Sequence, residues 1–206
     1  MNIAILIYGR LNKCVEHYNN ITEMLGKNNK LDFFLSSDNS PISQLNDFIN
    51  LYNPVAYIND TITYDYDLNI YPNRRPEVNT HNMTCHFKNK NRVFSLLEDH
   101  INKNNIHYDV IVSLRIDLII DNYFIFDEIL DNTIYIPLGY DFIDNAINDQ
   151  VAYGNFEVMK KYNSINPVNL LEQNLSIPHP ESLTLANIKF HKLEIKRFPL
   201  QYRIER

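Results

Sequence analysis

Ile3-Ala-Ile-Leu-Ile-Tyr8 is a continuous apolar run with isoleucine at every second position. Such a run suits a strand covered on both faces, not one with a wet side. Leu11, Val15, Tyr18, Ile21 and Leu25 follow at the spacing of an amphipathic helix, and Gly26 stands where a C′ glycine would end it. Leu31–Ser37 (LDFFLSS) reads as a second strand. A second amphipathic stretch, Ile42, Leu45, Phe48 and Ile49, leads through Asn53 and Pro54 to a third strand over Val55–Ile58. Strand, helix, strand, helix, strand predicts an α/β fold with a parallel sheet and right-handed crossovers.

From Asp60 to Asn82 the chain turns polar and tyrosine-rich, with Pro72, Arg74, Arg75 and Pro76, and reads as a long surface loop, either a lid or a tolerated insertion. A third helix is expected from about Thr84 to Asn102. It would bury Phe87, Phe94, Leu97 and Ile101 and turn Lys88, Asn91, Arg92 and Ser95 outward. Tyr108–Ile120 (YDVIVSLRIDLII) is the strongest strand signal. Further on come a strand at Thr133–Ile136, a short helix near Phe156–Tyr162, a helix opening at His179-Pro-Glu-Ser182, and an extended segment, Leu193–Arg203, that Pro199 confines to an edge or interrupts. Neither repeat nor linker composition appears, so residues 1–206 read as one domain.

At 206 residues a single core buries roughly 70% of the unfolded chain's surface. The two cysteines, Cys14 and Cys85, are therefore not needed as staples and read as ordinary buried or half-buried thiols. Glycine occurs only at positions 9, 26, 139 and 154, which rules out a Walker A loop or a GxGxxG fingerprint, both of which need clustered glycines. A net charge of −6 argues against a sequence-independent nucleic-acid partner. No run approaches the ~20 apolar residues of a membrane span, and the N-terminus lacks a basic n-region, so a cytoplasmic location is expected. No G-x-S-x-G elbow exists. His17, His81, His86, His100, His107 and His191 show no metal-ligand spacing, and the clustered carboxylates and histidines of a phosphodiester hydrolase are missing.

Arg115-Ile116-Asp117 stands where the strongest strand leaves the sheet. In open α/β sheets ligands bind outside the carboxyl ends of the strands, and a carboxylate fixed there suits a hard divalent cation. From the residues alone, an Arg-Asp ion pair capping the strand is an equal alternative.

In order and spacing, IAILIYGR, DFFLSS, YDVIVSLRIDL, NDQVAYG followed by Met159, HPES and LQYRIER resemble small glycosyltransferases of the GT-A type, including those encoded by large DNA viruses of algae and amoebae. The resemblance implies one GT-A-like, Rossmann-like domain with a mainly parallel sheet flanked by helices. It implies that Tyr8, Gly9 and Arg10 border a nucleotide, and that Lys88, Asn91 and Arg92 contact ribose or diphosphate. Asp117 would be the metal ligand for Mn²⁺ or Mg²⁺. Arg115 departs from the family's DxD pattern, and a guanidinium there can itself neutralise diphosphate through bidentate hydrogen bonds. Asp149 is the candidate general base for an acceptor hydroxyl, Asn148 and Glu181 face the acceptor, and His179 ligates the metal or touches phosphate. Bland alternatives stand beside these roles: a strand-to-helix turn at Tyr8–Arg10, a solvated helix face at Lys88–Arg92, capping by Asn148 and Asp149, and a helix start at Pro180 and Glu181. The implied reaction moves a hexose from a nucleoside-diphosphate sugar, UDP first among the nucleotides, to a glycan hydroxyl. A module that binds sugar nucleotide or glycan without turnover is the alternative.

Overall fold

A computed structural model describes residues 1–26, 28–71, 75, 77–126, 128–141 and 146–205. Its main sheet contains β1 (Asn2–Tyr8), β2 (Lys30–Asp38), β3 (Ala56–Asp60), β4 (Val110–Arg115), β6 (Thr133–Pro137), β7 (Val151–Gly154) and β8 (Glu194–Phe198), while β5 (Leu118–Ile120) pairs apart from it with β9 (Tyr202–Ile204). The strand order is β3-β2-β1-β4-β7-β6-β8. Strands β3, β2, β1 and β4 run parallel, β7 is antiparallel to both neighbours, and β6 pairs β8 in parallel. The expected mainly parallel α/β sheet is therefore present.

β1 is paired in parallel on both edges and covered by helices on both faces, which leaves it no wet side. Ile3, Ile5 and Ile7 pack into one core with Ile21 and Leu25 of α1 (Cys14–Gly26) and Phe48 and Tyr52 of α2 (Ile42–Tyr52). Ala4, Leu6 and Tyr8 face a second core with Val93, Phe94 and Leu97 of α3 (Thr80–Asn104). Each fully buried isoleucine contributes about 1.5–3 kcal/mol, which is why the unbroken apolar run settles in the centre. The remaining helices are α4 (Phe156–Asn163), α5 (Pro167–Glu172) and α6 (Pro180–Phe190). Among the described residues no helix is long and apolar enough to cross a membrane.

Several local expectations need correcting. α1 begins at Cys14, after Leu11, and buries Cys14, His17, Ile21 and Leu25, whereas Val15 is 48% exposed. Gly26 lies in the last helical turn, and the left-handed residue beyond it is Asn28, at φ 70°. α3 starts four residues before Thr84, because the Asn79 side chain accepts from Asn82 N at 2.9 Å and caps a helix opening at Thr80. The stretch from Asp60 is also partly ordered: Leu68–Ile70 form a short 3₁₀ turn capped by Asp67, and Leu68 packs with Val78, Met83 and Phe87. Pro72, Arg74 and Pro76 of that stretch lie outside the described residues. Tyr108–Ile120 is two strands, not one. Pro199 does interrupt the C-terminal extended segment, between β8 and β9.

Candidate functional site

At the end of β4 the chain turns through Ile116 and Asp117 into β5. Two contacts hold the turn. The buried His17 ring donates from Nδ1 to the Ile116 carbonyl at 2.6 Å, and Glu205 N donates to the Asp117 carbonyl at 2.9 Å. Arg115 then grips Asp117 side-on, with Nε to Oδ1 at 3.0 Å and Nη2 to Oδ2 at 2.6 Å. Burial opposes the Arg115 charge, yet Asp117 and, further off, Asp149 raise its pKa above the ordinary value.

Because β7 runs antiparallel to β4, with Leu114 opposite Val151, the residues before β7 arrive beside the end of β4. Asp149 is buried there. Its Oδ2 lies 3.2 Å from His86 Nε2, out of line for a hydrogen bond, and its backbone carbonyl accepts from Tyr8 Oη at 3.0 Å. Burial pushes the Asp149 carboxyl up to about 6, with nearby Glu181 adding to the rise and Lys90 and Arg115 opposing it. His86 is driven well below its usual value by burial, then by Lys90 and Arg115, and stays neutral at pH 7. Lys90 is fully buried and its Nζ has no hydrogen-bond partner among the described residues; it sits 3.7 Å from the centre of the Tyr162 ring and 5.9 Å from that of Tyr8. Burial lowers its pKa to about 7 against the pull of Asp149. A charged group is almost never fully buried without a purpose-built partner, and strongly shifted groups gather at functional sites.

The surrounding network is close-knit. Asn148 Nδ2 donates to Tyr202 Oη at 2.7 Å and to the Gly139 carbonyl at 3.3 Å, and Asn148 Oδ1 accepts from Gln150 N at 3.0 Å. Tyr202 Oη donates in turn to Gln150 Oε1 at 2.9 Å. The Asn148 amide is thus engaged in holding the segment that carries Asp149. Ile147 N donates to the Glu181 carbonyl at 3.3 Å, which brings the start of α6 to the same place. There His179 is the N-cap residue, Pro180 occupies the first turn, and His179 Nδ1 lies 2.8 Å from Glu181 Oε2.

Tyr8, Arg115, Asp117, Asn148, Asp149, His179 and Glu181 therefore gather around one end of the sheet. Gly9 and Arg10 follow β1 at the same end of the sheet, and these two, with Lys88, Asn91 and Arg92, make contacts of their own. Gly9 makes the turn after β1 at φ +115°, a conformation open to glycine, and donates its N–H to the Ser36 carbonyl at 3.1 Å. Arg10 lines a cavity of about 390 Å³ with Asp38, Ser40, Thr61 and His81. Lys88 and Asn91 line another, of about 490 Å³, with Tyr66 and Asn166. Arg92 is paired with Asp60. Sequence reasoning missed His86 and Lys90. The signal was present, since Met83, Phe87, Lys90, Phe94 and Leu97 recur at helical spacing, and a lysine inside an apolar stripe is anomalous.

No family model matches the sequence, and no curated protein sequence matches it significantly. Solved structures do. The galactosyltransferase LgtC in complex with donor and acceptor sugar analogues superimposes with a TM-score of 0.53 at 12% identity, covering 96% of this chain and 73% of that one. An active-site mutant of LgtC superimposes with a TM-score of 0.53 at 13% identity, over 96% and 72%. The chain has a GT-A fold.

A GT-A fold raises the question of a divalent cation at Asp117. As arranged, the site does not fit one. Both Asp117 oxygens accept from Arg115, whose guanidinium would stand against any cation placed there, and the His179 Nδ1 is turned to Glu181. The described residues that do converge as metal donors are Asp38, His81 and Cys85.

Proposed function

We propose that the chain is a glycosyltransferase that moves a hexose from a nucleoside-diphosphate sugar, with UDP the expected nucleotide, to a glycan hydroxyl. Its GT-A fold supports the reaction class. The observation that carries the reading is Asp149: a buried carboxylate with an elevated pKa at the site end of the sheet, beside a guanidinium and a buried lysine. In this reading Asp149 takes the proton of the acceptor hydroxyl as it attacks the anomeric carbon, which makes the displacement direct and inverting. Lys90 keeps part of the Asp149 population ionised, and Glu181 stands on the acceptor side. Asn148 acts through the backbone it holds. Arg115 offsets the negative charge growing on the departing diphosphate, a task suited to preorganised guanidinium groups, in place of Mn²⁺ or Mg²⁺ on Asp117. Arg10 and Lys88, in the two flanking cavities, are the cations available to the rest of the donor.

The test is Asp149→Asn. It should leave UDP-sugar affinity nearly unchanged while lowering transfer by ~10²-fold or more. The wild-type rate should climb with pH through about 6, since the base works only when ionised. Unchanged transfer by the variant removes Asp149 from the chemistry. The side-on Arg115–Asp117 pair favours the second reading, a domain that binds sugar nucleotide without turnover. Saturable UDP-sugar binding with no release of UDP in the presence of glycan acceptors would establish that one instead.

A further inference from the structure

At the other side of α3, Asp38, His81 and Cys85 meet. Asp38 is the last residue of β2, and His81 and Cys85 are four apart on the first turns of α3, so both point toward the strand end. Their donor atoms all lie within 4.8 Å of one another. Cys85 Sγ is 3.6 Å from His81 Nε2. A tetrahedral centre with a zinc–sulfur bond of about 2.3 Å and a zinc–nitrogen bond of about 2.0–2.1 Å has a sulfur–nitrogen edge of about 3.6 Å.

The outer contacts agree. Tyr64 Oη lies 2.7 Å from His81 Nδ1. With Nδ1–H donating to the phenol oxygen, Nε2 keeps its lone pair on the side of Cys85, the arrangement found behind metal-bound histidines. Asp38 Oδ1 accepts from Ile62 N at 3.0 Å, which fixes the carboxylate.

We infer that Asp38, His81 and Cys85 form a divalent transition-metal site of the zinc type, separate from the Asp149 centre. One thiolate, one imidazole and one carboxylate select zinc over magnesium or manganese, which favour all-oxygen donors. Two anionic donors balance the charge of the ion. Three protein donors leave a fourth position for water or an anion. Asp38 and His81 also line the cavity of about 390 Å³ with Arg10, so such a ligand could reach the site from there. Exposed His81 gives the ion its way in, while Cys85 stays buried behind it. The inference does not depend on the transferase reading.

Cobalt(II) titration of the reduced, chelator-treated full chain tests it. One equivalent should produce a thiolate-to-cobalt charge-transfer absorption with tetrahedral d–d bands, and one equivalent of Zn²⁺ should abolish both. Cys85→Ser should lose the charge-transfer band, His81→Ala should lose most of the affinity, and Tyr64→Phe should weaken binding by about 10–100-fold. Cys14→Ser should behave as wild type. Circular dichroism of the metal-free variants checks folding, and the exposed His81 carries the decision if Cys85→Ser does not fold. Absence of cobalt binding by the folded wild type, a band that persists without Cys85, or unchanged affinity in His81→Ala overturns the assignment.

Discussion

Lys90→Met should stabilise the protein. At pH 7 the lysine, with its pKa lowered from 10.5 to about 7, costs the fold about 4 kcal/mol, because each tenfold weakening of proton binding is worth about 1.4 kcal/mol. Methionine has nearly the same length and no charge to desolvate. Two losses reduce the gain: Asp149 without its cation stays neutral at an extra cost of about 1 kcal/mol, and the contact with the Tyr162 ring gives up about another 1 kcal/mol. A net gain of about 2 kcal/mol remains, or about 4–8 °C in Tm for a chain of this size. The sign of the pH dependence follows from the direction in which burial moves the lysine. A lysine whose folded pKa lies below its unfolded one penalises the fold fully below about pH 7, and the penalty vanishes as pH approaches 10.5. The advantage of Lys90→Met should accordingly be large near pH 7 and shrink steadily on the alkaline side. Thermal unfolding of both proteins followed by circular dichroism across that range measures it. A variant less stable than wild type at pH 7, or an advantage independent of pH, refutes the reasoning. Transfer by the variant should also shift to higher pH, because the Asp149 carboxylate loses the cation that opposes its burial.

Gly9→Ala should cost about 1–3 kcal/mol of backbone strain, although the added Cβ meets nothing within 4 Å at φ +115°; a Tm equal to wild type would contradict this. Tyr202→Phe removes both the acceptor of Asn148 Nδ2 and the donor to Gln150 Oε1. Two buried groups lose a partner at about 1–3 kcal/mol each, so urea unfolding should show a loss of at least about 2 kcal/mol, and a neutral result would mean that the network repairs itself.

The amino-acid sequence carried the sheet but not the rotation of its first helix. Ile3–Tyr8 has a single sensible environment, and its two flanking strands are equally plain. α1 turned differently from its apolar periodicity because His17 is fully buried and its partner, the Ile116 carbonyl, lies 99 residues away. No local pattern records such a contact. The same holds for the site. Arg115 and Asp117 were recognisable as charged residues at the end of an apolar strand, whereas Asp149 was singled out through the family resemblance. Lys90 was legible only as a cation inside the apolar stripe of α3, and His86, beside that stripe, carries no local signal because its neighbour Asp149 is distant in the chain. The pairing of His81 with Cys85 needed the correct helix start: with α3 opening at Thr84 the histidine falls in a loop, whereas the Asn79 cap puts both on one face.

α3 also sets a constraint on length. Within ten residues it supplies His81 and Cys85 to the end of β2, His86 and Lys90 to Asp149, and Lys88 to a cavity by Tyr66. Each added residue turns the helix by about 100° and advances it by about 1.5 Å. One residue inserted between Cys85 and His86 would leave the first pair in place and carry Lys90 away from the carboxylate it faces. Any chain that keeps both groups of side chains in place must keep the count between positions 81 and 90.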